Sequence, residues 1–374
     1  MNVERLIVLA PIEPAPTGNG LAMRTDLFRR SAPAGTAVRT VVVPVAGRAR
    51  AGVAALLVDP RWRERLELAN PLPRLARRAS PGLVQEVADA CAGEGSVALH
   101  VMRAYLAPLG IAVAERLDAA WVTLDLDDDD TALAASLGDA EEADAYDRLL
   151  GVFAPLFDGL CAASATEAEA IATRHRVTVT HVPNAVDVPE PPARRDPAER
   201  PTLLFVGNLT YEPNAEAARI LVESILPRVR DRLGDVHATL VGEHRPELRR
   251  LRGPSVEVTG FVPDLASVYR SADVVVAPLA HASGTRIKLL EAFAHGVPVV
   301  ASPAAAAGLD VADARHLLLA ADPDGAAAGI EAILTDPGLA ERLAAEARRL
   351  VEERYSTGVV IPQIRSFFAQ AAAH

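Results

Sequence analysis

The chain has 374 residues, half of them hydrophobic and only 4% aromatic, with a net charge of −11 and a pI near 5.4. At roughly 150 residues per domain, this length predicts two domains with sizeable cores. The acidic balance argues against nucleic acid or an anionic membrane as the main partner, because both need a concentrated basic face.

In chain order, the first apolar run is "LIVLAP". Its stretch from Leu6 to Ala10 is ended by Pro11 and is far shorter than the h-region of a signal peptide. No stretch approaches the roughly 20 apolar residues of a membrane span. Cys91 and Cys161 are isolated and fit a reducing compartment, so a cytoplasmic location and no transmembrane segment are expected. The runs "VRTVVVPV", "SVALHVM", "AWVTLDL", "GLCAAS" and "VTVTHVPN" follow, separated by helical patterns. Val- and Leu-rich runs bounded by turn residues and spaced by helices predict a parallel sheet with crossover helices.

Residues 187–200, "DVPEPPARRDPAER", hold four prolines and seven charges and are read as a linker. The domain before it spans 1–186. A second α/β domain, 201–354, repeats the rhythm with "TLLFVG", "HATLVG", "VEVTG", "DVVVAP" and "VPVVAS". Residues 355–374 form an amphipathic pattern expected to dock as a helix on the N-terminal domain. Two doubly wound domains imply a cleft, with ligands beyond the carboxyl ends of the strands.

The loop after "DVVVAP" leads into "SGTRIKLLEAFAHG". Ile287, Leu290 and Ala294 share one helical face, and Gly296 sits where a C′ glycine belongs. Ser283 or Thr285 is expected to cap the start, placing Arg286 and Lys288 in the first turn. Lys288 is the only lysine of the chain. Each cation there opposes the helix dipole by about 0.3–1 kcal/mol, a cost that disappears if an anion docks on the helix start. Gly284 allows a phosphate to approach the backbone. The plain alternative is a solvated turn with Lys288 paired to Glu291 at i+3.

The stretches "LLFVGNLTYEPNAEAARIL", "HATLVGEHRPEL", "VEVTGFVPDLASVYRSADVVVAPL" and "SGTRIKLLEAFAHGVPVVAS" stand in the order and spacing of glycosyltransferase family 4. The chain resembles that family over nearly its whole length, with "PIEPAPTGNGLAMR" and "HVPNAVDV" as the N-terminal counterparts. The resemblance implies the GT-B fold, two Rossmann-like domains facing a central cleft. It also implies transfer of a sugar from a nucleoside-diphosphate sugar to a small-molecule or glycan acceptor, with retention, without a cofactor and without a metal. Arg286, Lys288 and the helix start, with Ser283, Gly284 and Thr285, would hold the diphosphate. Glu291 would take the ribose hydroxyls, and the backbone at Phe261 and Val262 would meet the base. Gly18, Gly20, Gly207, Asn208 and Gly242 are the remaining donor-side candidates.

The chain also departs from the family. The first of two family glutamates falls on Ser283, Asn208 stands at the usual arginine, and "TYEPNA" supplies no lysine. Arg286 and Lys288 then carry the leaving diphosphate. In the N-terminal domain, Arg24, His100 and Arg103 are acceptor candidates. Asp125 and Asp127, where relatives often have a histidine, join Arg103 as catalytic candidates. Asp127 to Asp130 invite a metal, but such a run is more often a solvated loop or a helix cap. No H-E-x-x-H or G-x-S-x-G motif is present, which disfavours zinc and serine hydrolases. The rival readings are a sugar-nucleotide epimerase of the same architecture and a non-catalytic protein that binds a nucleotide sugar.

Overall fold

A computed structural model describes residues 3–43, 72–76, 81–190, 200–280 and 286–373. The chain divides into two compact units. One comprises Met1–Pro16, Leu21–Pro183 and Val360–His374, and the other Thr17–Gly20 and Asn184–Val359.

Among the described residues the first unit is built on a parallel sheet of six strands. These are β1 (Arg5–Ala10), β2 (Ala37–Val42), β3 (Val97–Met102), β4 (Val122–Asp125), β5 (Gly159–Ala162) and β6 (Val179–His181), in the order β2-β1-β3-β4-β5-β6. All six residues of β3 are buried, which is why the run "VALHVM" is apolar throughout rather than alternating. Helices cover the sheet. Residues 360–371 of the C-terminal helix Thr357–Ala371 belong to this unit, with Phe368 against Trp121, Phe28 and His100.

The second unit repeats the plan with β7 (Thr202–Val206), β8 (His237–Val241), β9 (Val256–Gly260), β10 (Val274–Ala277), β11 (Val299–Ala301) and β12 (Leu318–Leu319), ordered β12-β11-β10-β7-β8-β9. The eleven apolar runs of the sequence all become strands. The two-residue β12 was not expected, because "HLLLA" offers too short a run to distinguish from a helix segment. Its core gathers Leu203 and Phe205 of β7, Leu240 of β8, Val258 of β9 and Val274 and Val276 of β10. Burying a side chain of the size of Phe205 contributes about 1.5–3 kcal/mol.

In each sheet the chain reverses its direction of growth once. The reversal lies between β1 and β3 in the first unit and between β7 and β10 in the second. Open α/β sheets bind ligands beyond the carboxyl ends of the strands at such points. Cys91 and Cys161 are both buried and free. Among the described residues no helix is long and apolar enough to cross a membrane.

Candidate functional site

The second unit's reversal point assembles residues from four loops. Gly207 and Gly242 directly follow β7 and β8, and β9 ends on Gly260; they are joined by Gly207 N–H to Val241 O (2.9 Å) and Gly242 N–H to Gly260 O (2.8 Å). Gly242, at φ +140°, packs so tightly that an added Cβ would lie 1.9 Å from the Gly207 carbonyl oxygen. A Cβ at Gly207 would lie 3.1 Å from both the Asn214 Cγ and the Lys288 ammonium. The strand ends therefore present bare backbone where two polar side chains converge.

Helix Ile287–Ala294 starts beyond β10. Ile287, Leu290 and Ala294 are buried as the spacing requires, and Gly296 closes the far end at φ +68°. Its N-cap residue is Arg286, without a side-chain cap bond. The start therefore lies later than a Ser283 or Thr285 cap would place it; Ser283, Gly284 and Thr285 lie outside the described residues. Arg286 stands at the cap and Lys288 at the second helical position.

Lys288 is half-buried, and its Nζ donates to Asn214 Oδ1 at 2.6 Å and lies 4.8 Å from the centre of the Phe205 ring. The i+3 partnership with Glu291 does not form as a hydrogen bond. Lys288 reaches across to the helix that follows β7, and Glu291 accepts from Tyr269 Oη at 3.0 Å instead. Burial lowers the Lys288 pKa to about 8, against the attraction of Glu291. Burial also raises Glu291 to about 7. The ammonium has three donors and, among the described residues, a single hydrogen-bond acceptor. Glu291 Oε1 likewise has no hydrogen-bond partner there. Tyr269, stacked on His295 at 5.0 Å, fixes the carboxylate's other oxygen.

Asn208 turns its side chain inward to cap its own loop, accepting from Thr210 N at 3.0 Å and Thr210 Oγ1 at 2.7 Å. Its carbonyl receives Asn214 Nδ2 at 2.9 Å. Phe261 and Val262 follow β9. Phe261 is 61% exposed. Asn214 and Tyr269 escaped the sequence reading. "TYEPNA" offers no local signal for an acceptor at Asn214, and Tyr269 lies 22 residues before the carboxylate it orients.

The first unit corrects several expectations. Arg24 and Asp125 are given to each other: Nε to Oδ2 at 2.6 Å and NH2 to Oδ1 at 2.7 Å, with both side chains fully buried. Arg24 also donates to the Val182 carbonyl at 3.0 Å. A buried ion pair with no exposed surface has nothing to offer an acceptor or a reacting bond, so neither fits its expected role. His100 is a core histidine. Its ring stacks on Phe28 at 4.2 Å, its Nδ1 meets Thr123 Oγ1 at 2.9 Å, and burial pushes its pKa down to about 3. It faces no acceptor.

The run Asp127–Asp130 is not a solvated loop. All four side chains are buried, since arginines distant in sequence neutralise them. Arg103 donates to Asp127 at 3.1 Å, to Asp128 at 2.9 Å and to Asp130. Arg174 forks onto Asp129 at 3.1 and 2.9 Å, and Asp129 caps helix Asp130–Ser136. Burial and the neighbouring Asp128 raise Asp127 to about 8, and burial raises Asp130 to about 6. Among the described residues no group of His, Cys, Asp or Glu is arranged to hold a metal ion. Arg103 (φ +77°), directly after β3, and Asp127 (φ +61°), two residues past the end of β4, both adopt the left-handed backbone that costs a non-glycine residue about 1–3 kcal/mol. The structure does bring Arg103 and Asp127 together, with the guanidinium committed to carboxylates. Gly18 also has positive φ (+98°), and Gly20 opens helix Gly20–Arg30.

Residues 200–336 match the family model described as glycosyl transferases group 1. Phosphatidyl-myo-inositol mannosyltransferase of Mycolicibacterium smegmatis is 37% identical over 195 residues, covering 49% of this chain and 50% of that protein. The chain thus spans about half the length of the curated relatives it matches. Among solved structures, sucrose-phosphate synthase from Thermosynechococcus elongatus superposes with a TM-score of 0.72 at 18% identity, covering 99% of both chains. Anabaena Alr3699/HepE in complex with UDP-glucose does so with a TM-score of 0.67 at 15% identity, covering 98% of this chain and all of that one. The fold is GT-B, as the sequence resemblance implied.

Proposed function

We propose that this chain, whose residues 200–336 match the glycosyl transferases group 1 model, moves a sugar from a nucleoside-diphosphate sugar to a small-molecule or glycan hydroxyl. In this reading the transfer retains anomeric configuration and needs no metal. The carrying observation is the Lys288 ammonium, half-buried at the reversal point of the second sheet, with donors to spare. A buried cation with one acceptor is poorly satisfied alone and becomes well satisfied when an anion completes its shell.

The diphosphate would lie at the start of helix Ile287–Ala294, against Lys288 and Arg286, where helix N–H groups also favour negative charge. Glu291 Oε1 would accept from a ribose hydroxyl while Tyr269 holds Oε2. Catalysis would be electrostatic. The bond from the anomeric carbon to the diphosphate oxygen breaks, the pair stays on the phosphate, and preorganised positive charge stabilises it. The acceptor hydroxyl forms the new bond to the anomeric carbon and passes its proton to the departing diphosphate oxygen. Two features of other proteins support this reading: a solved structure of the same fold is a complex with UDP-glucose, and phosphatidyl-myo-inositol mannosyltransferases are among the curated relatives.

The test is a panel of UDP-glucose, UDP-N-acetylglucosamine and GDP-mannose with sugar and polyol acceptors, read by diphosphate release and product mass. Acceptor-dependent release supports a transferase. Sugar isomerisation without an acceptor would instead establish the epimerase reading, and tight binding without turnover the non-catalytic one.

A further inference from the structure

We infer that Asn214 is a positioning residue, whose amide oxygen holds the Lys288 ammonium where the donor's diphosphate binds. It would thereby serve in place of the cationic pair missing from the loop after β7. This rests on the donor reading above.

Four observations carry it. Asn214 lies 74 residues from Lys288, on helix Glu212–Arg219 directly after β7, yet accepts from its Nζ at 2.6 Å. The amide is fixed at both ends: Nδ2 donates to the Asn208 carbonyl at 2.9 Å, so a flipped amide would set N–H groups against the ammonium. Its backbone is anchored by Asn214 N–H to Tyr211 O at 3.1 Å. Gly207 leaves the space for the contact, since its missing Cβ would crowd both partners at 3.1 Å.

The residue type fits the task. An aspartate here would cancel the lysine's charge and repel a diphosphate. An asparagine localises the ammonium and leaves its charge intact. Long flexible lysine stems lose rotamer freedom on binding, so a lysine already tethered meets the anion at lower entropic cost. The other groups acting on this ammonium are few. Glu291 lies one turn along the same helix and is bonded to Tyr269, which stacks on His295. Arg286 caps the helix, and on the Asn214 helix Glu212 is paired with Arg219 and Arg245.

The experiment titrates UDP and GDP calorimetrically, without divalent metal, from pH 6.5 to 9.5. It compares the wild type with Asn214→Ala, Asn214→Asp and Lys288→Met. Wild-type affinity should fall as rising pH deprotonates Lys288. Asn214→Ala should bind roughly tenfold more weakly at pH 7, with the midpoint moved to lower pH, because the ammonium loses its acceptor. Asn214→Asp should also bind more weakly, but with the midpoint moved to higher pH, because a carboxylate favours the ammonium. Lys288→Met should abolish the midpoint. Opposite shifts in two variants cannot come from a general loosening of the fold. If Asn214→Ala does not fold, the upward shift in Asn214→Asp carries the test alone. An Asn214→Ala protein with the wild-type midpoint, whatever its affinity, would overturn the inference. If the wild type bound neither nucleotide, or Lys288→Met bound both as the wild type does, the donor reading itself would fall.

Discussion

Replacing Lys288 by methionine separates function from stability, because the two should move in opposite directions. Methionine keeps the apolar stem against Phe205 and removes only the ammonium. In the unliganded fold that ammonium is costly. The fall in its pKa from the ordinary 10.5 to about 8 corresponds to about 3 kcal/mol at 1.36 kcal/mol per pH unit. The side chain is only half-buried, so solvent screening reduces this to roughly 1–3 kcal/mol, and losing the bond to Asn214 returns about 1 kcal/mol. The variant should therefore be as stable as the wild type or more stable by up to about 2 kcal/mol, with a rise of roughly 2–4 °C in Tm per kcal/mol for a unit of this size. The pH dependence has a definite sign. Below the folded pKa near 8 the lysine is charged in both states and its cost is full. As pH rises further the folded state loses the proton first, so the variant's advantage fades and is gone above the unfolded pKa. Turnover, in contrast, should drop by about 10²–10³, the effect of removing one preorganised electrostatic group. Melting curves between pH 6 and 10 and kcat on the same two proteins decide it. Wild-type turnover with a lower Tm would mean that Lys288 is a structural surface residue.

Glu291→Ala should weaken nucleotide binding by about one to two orders of magnitude with the fold intact, since it removes a charge-assisted acceptor; unchanged affinity in calorimetry would remove the ribose role. Gly207→Ala places a methyl 3.1 Å from the Lys288 ammonium and the Asn214 side chain; it should raise the donor KM far more than it lowers Tm, and equal donor kinetics would show that the strand end does not need bare backbone. Because the folded pKa of His100 lies near 3, stability should fall as pH drops from about 6.5 toward 3, by up to roughly 5 kcal/mol. His100→Gln, which keeps a bond to Thr123, should flatten that slope in urea melts, and an unchanged slope would refute it. Activity should survive EDTA, because Lys288 and Arg286 supply the positive charge; loss restored by magnesium or manganese would contradict this.

The fold was legible because parallel strands buried on both faces must be written as unbroken apolar runs, and the eleven short runs bounded by turn residues are strands. Helix Ile287–Ala294 was legible for a related reason: Ile287, Leu290 and Ala294 show the period and Gly296 the stop, and two cations at the wrong end of a dipole are what led to the proposed anion site. What could not be read was which side chain holds which. Lys288 and Glu291 stand at a helical pair spacing, yet each prefers a partner from another element, Asn214 or Tyr269. Local spacing sets which residues could meet. Tertiary packing decides between that neighbour and a better-placed one.

The first unit shows the same limit with larger consequences. Four consecutive aspartates look solvated because the sequence around them contains no cation. Their neutralising arginines lie 24 to 27 positions before and 45 after, and enter only when β3, β4 and helix Ala165–His175 come together. Each of these contacts uses what a guanidinium supplies: several donors in a planar fork and a charge that burial does not remove. Arg24 on Asp125 and Arg174 on Asp129 are bidentate pairs of this kind. At position 288 the requirement is different. The space beside Gly207 is about one methyl group tight, and in the proposed donor site the cation would make one bond to Asn214 and keep donors for a diphosphate that comes and goes. A compact ammonium with rotatable donors meets that requirement and a rigid fork does not. In a chain that otherwise uses arginine throughout, this gives a physical reason for the single lysine to stand at the helix start.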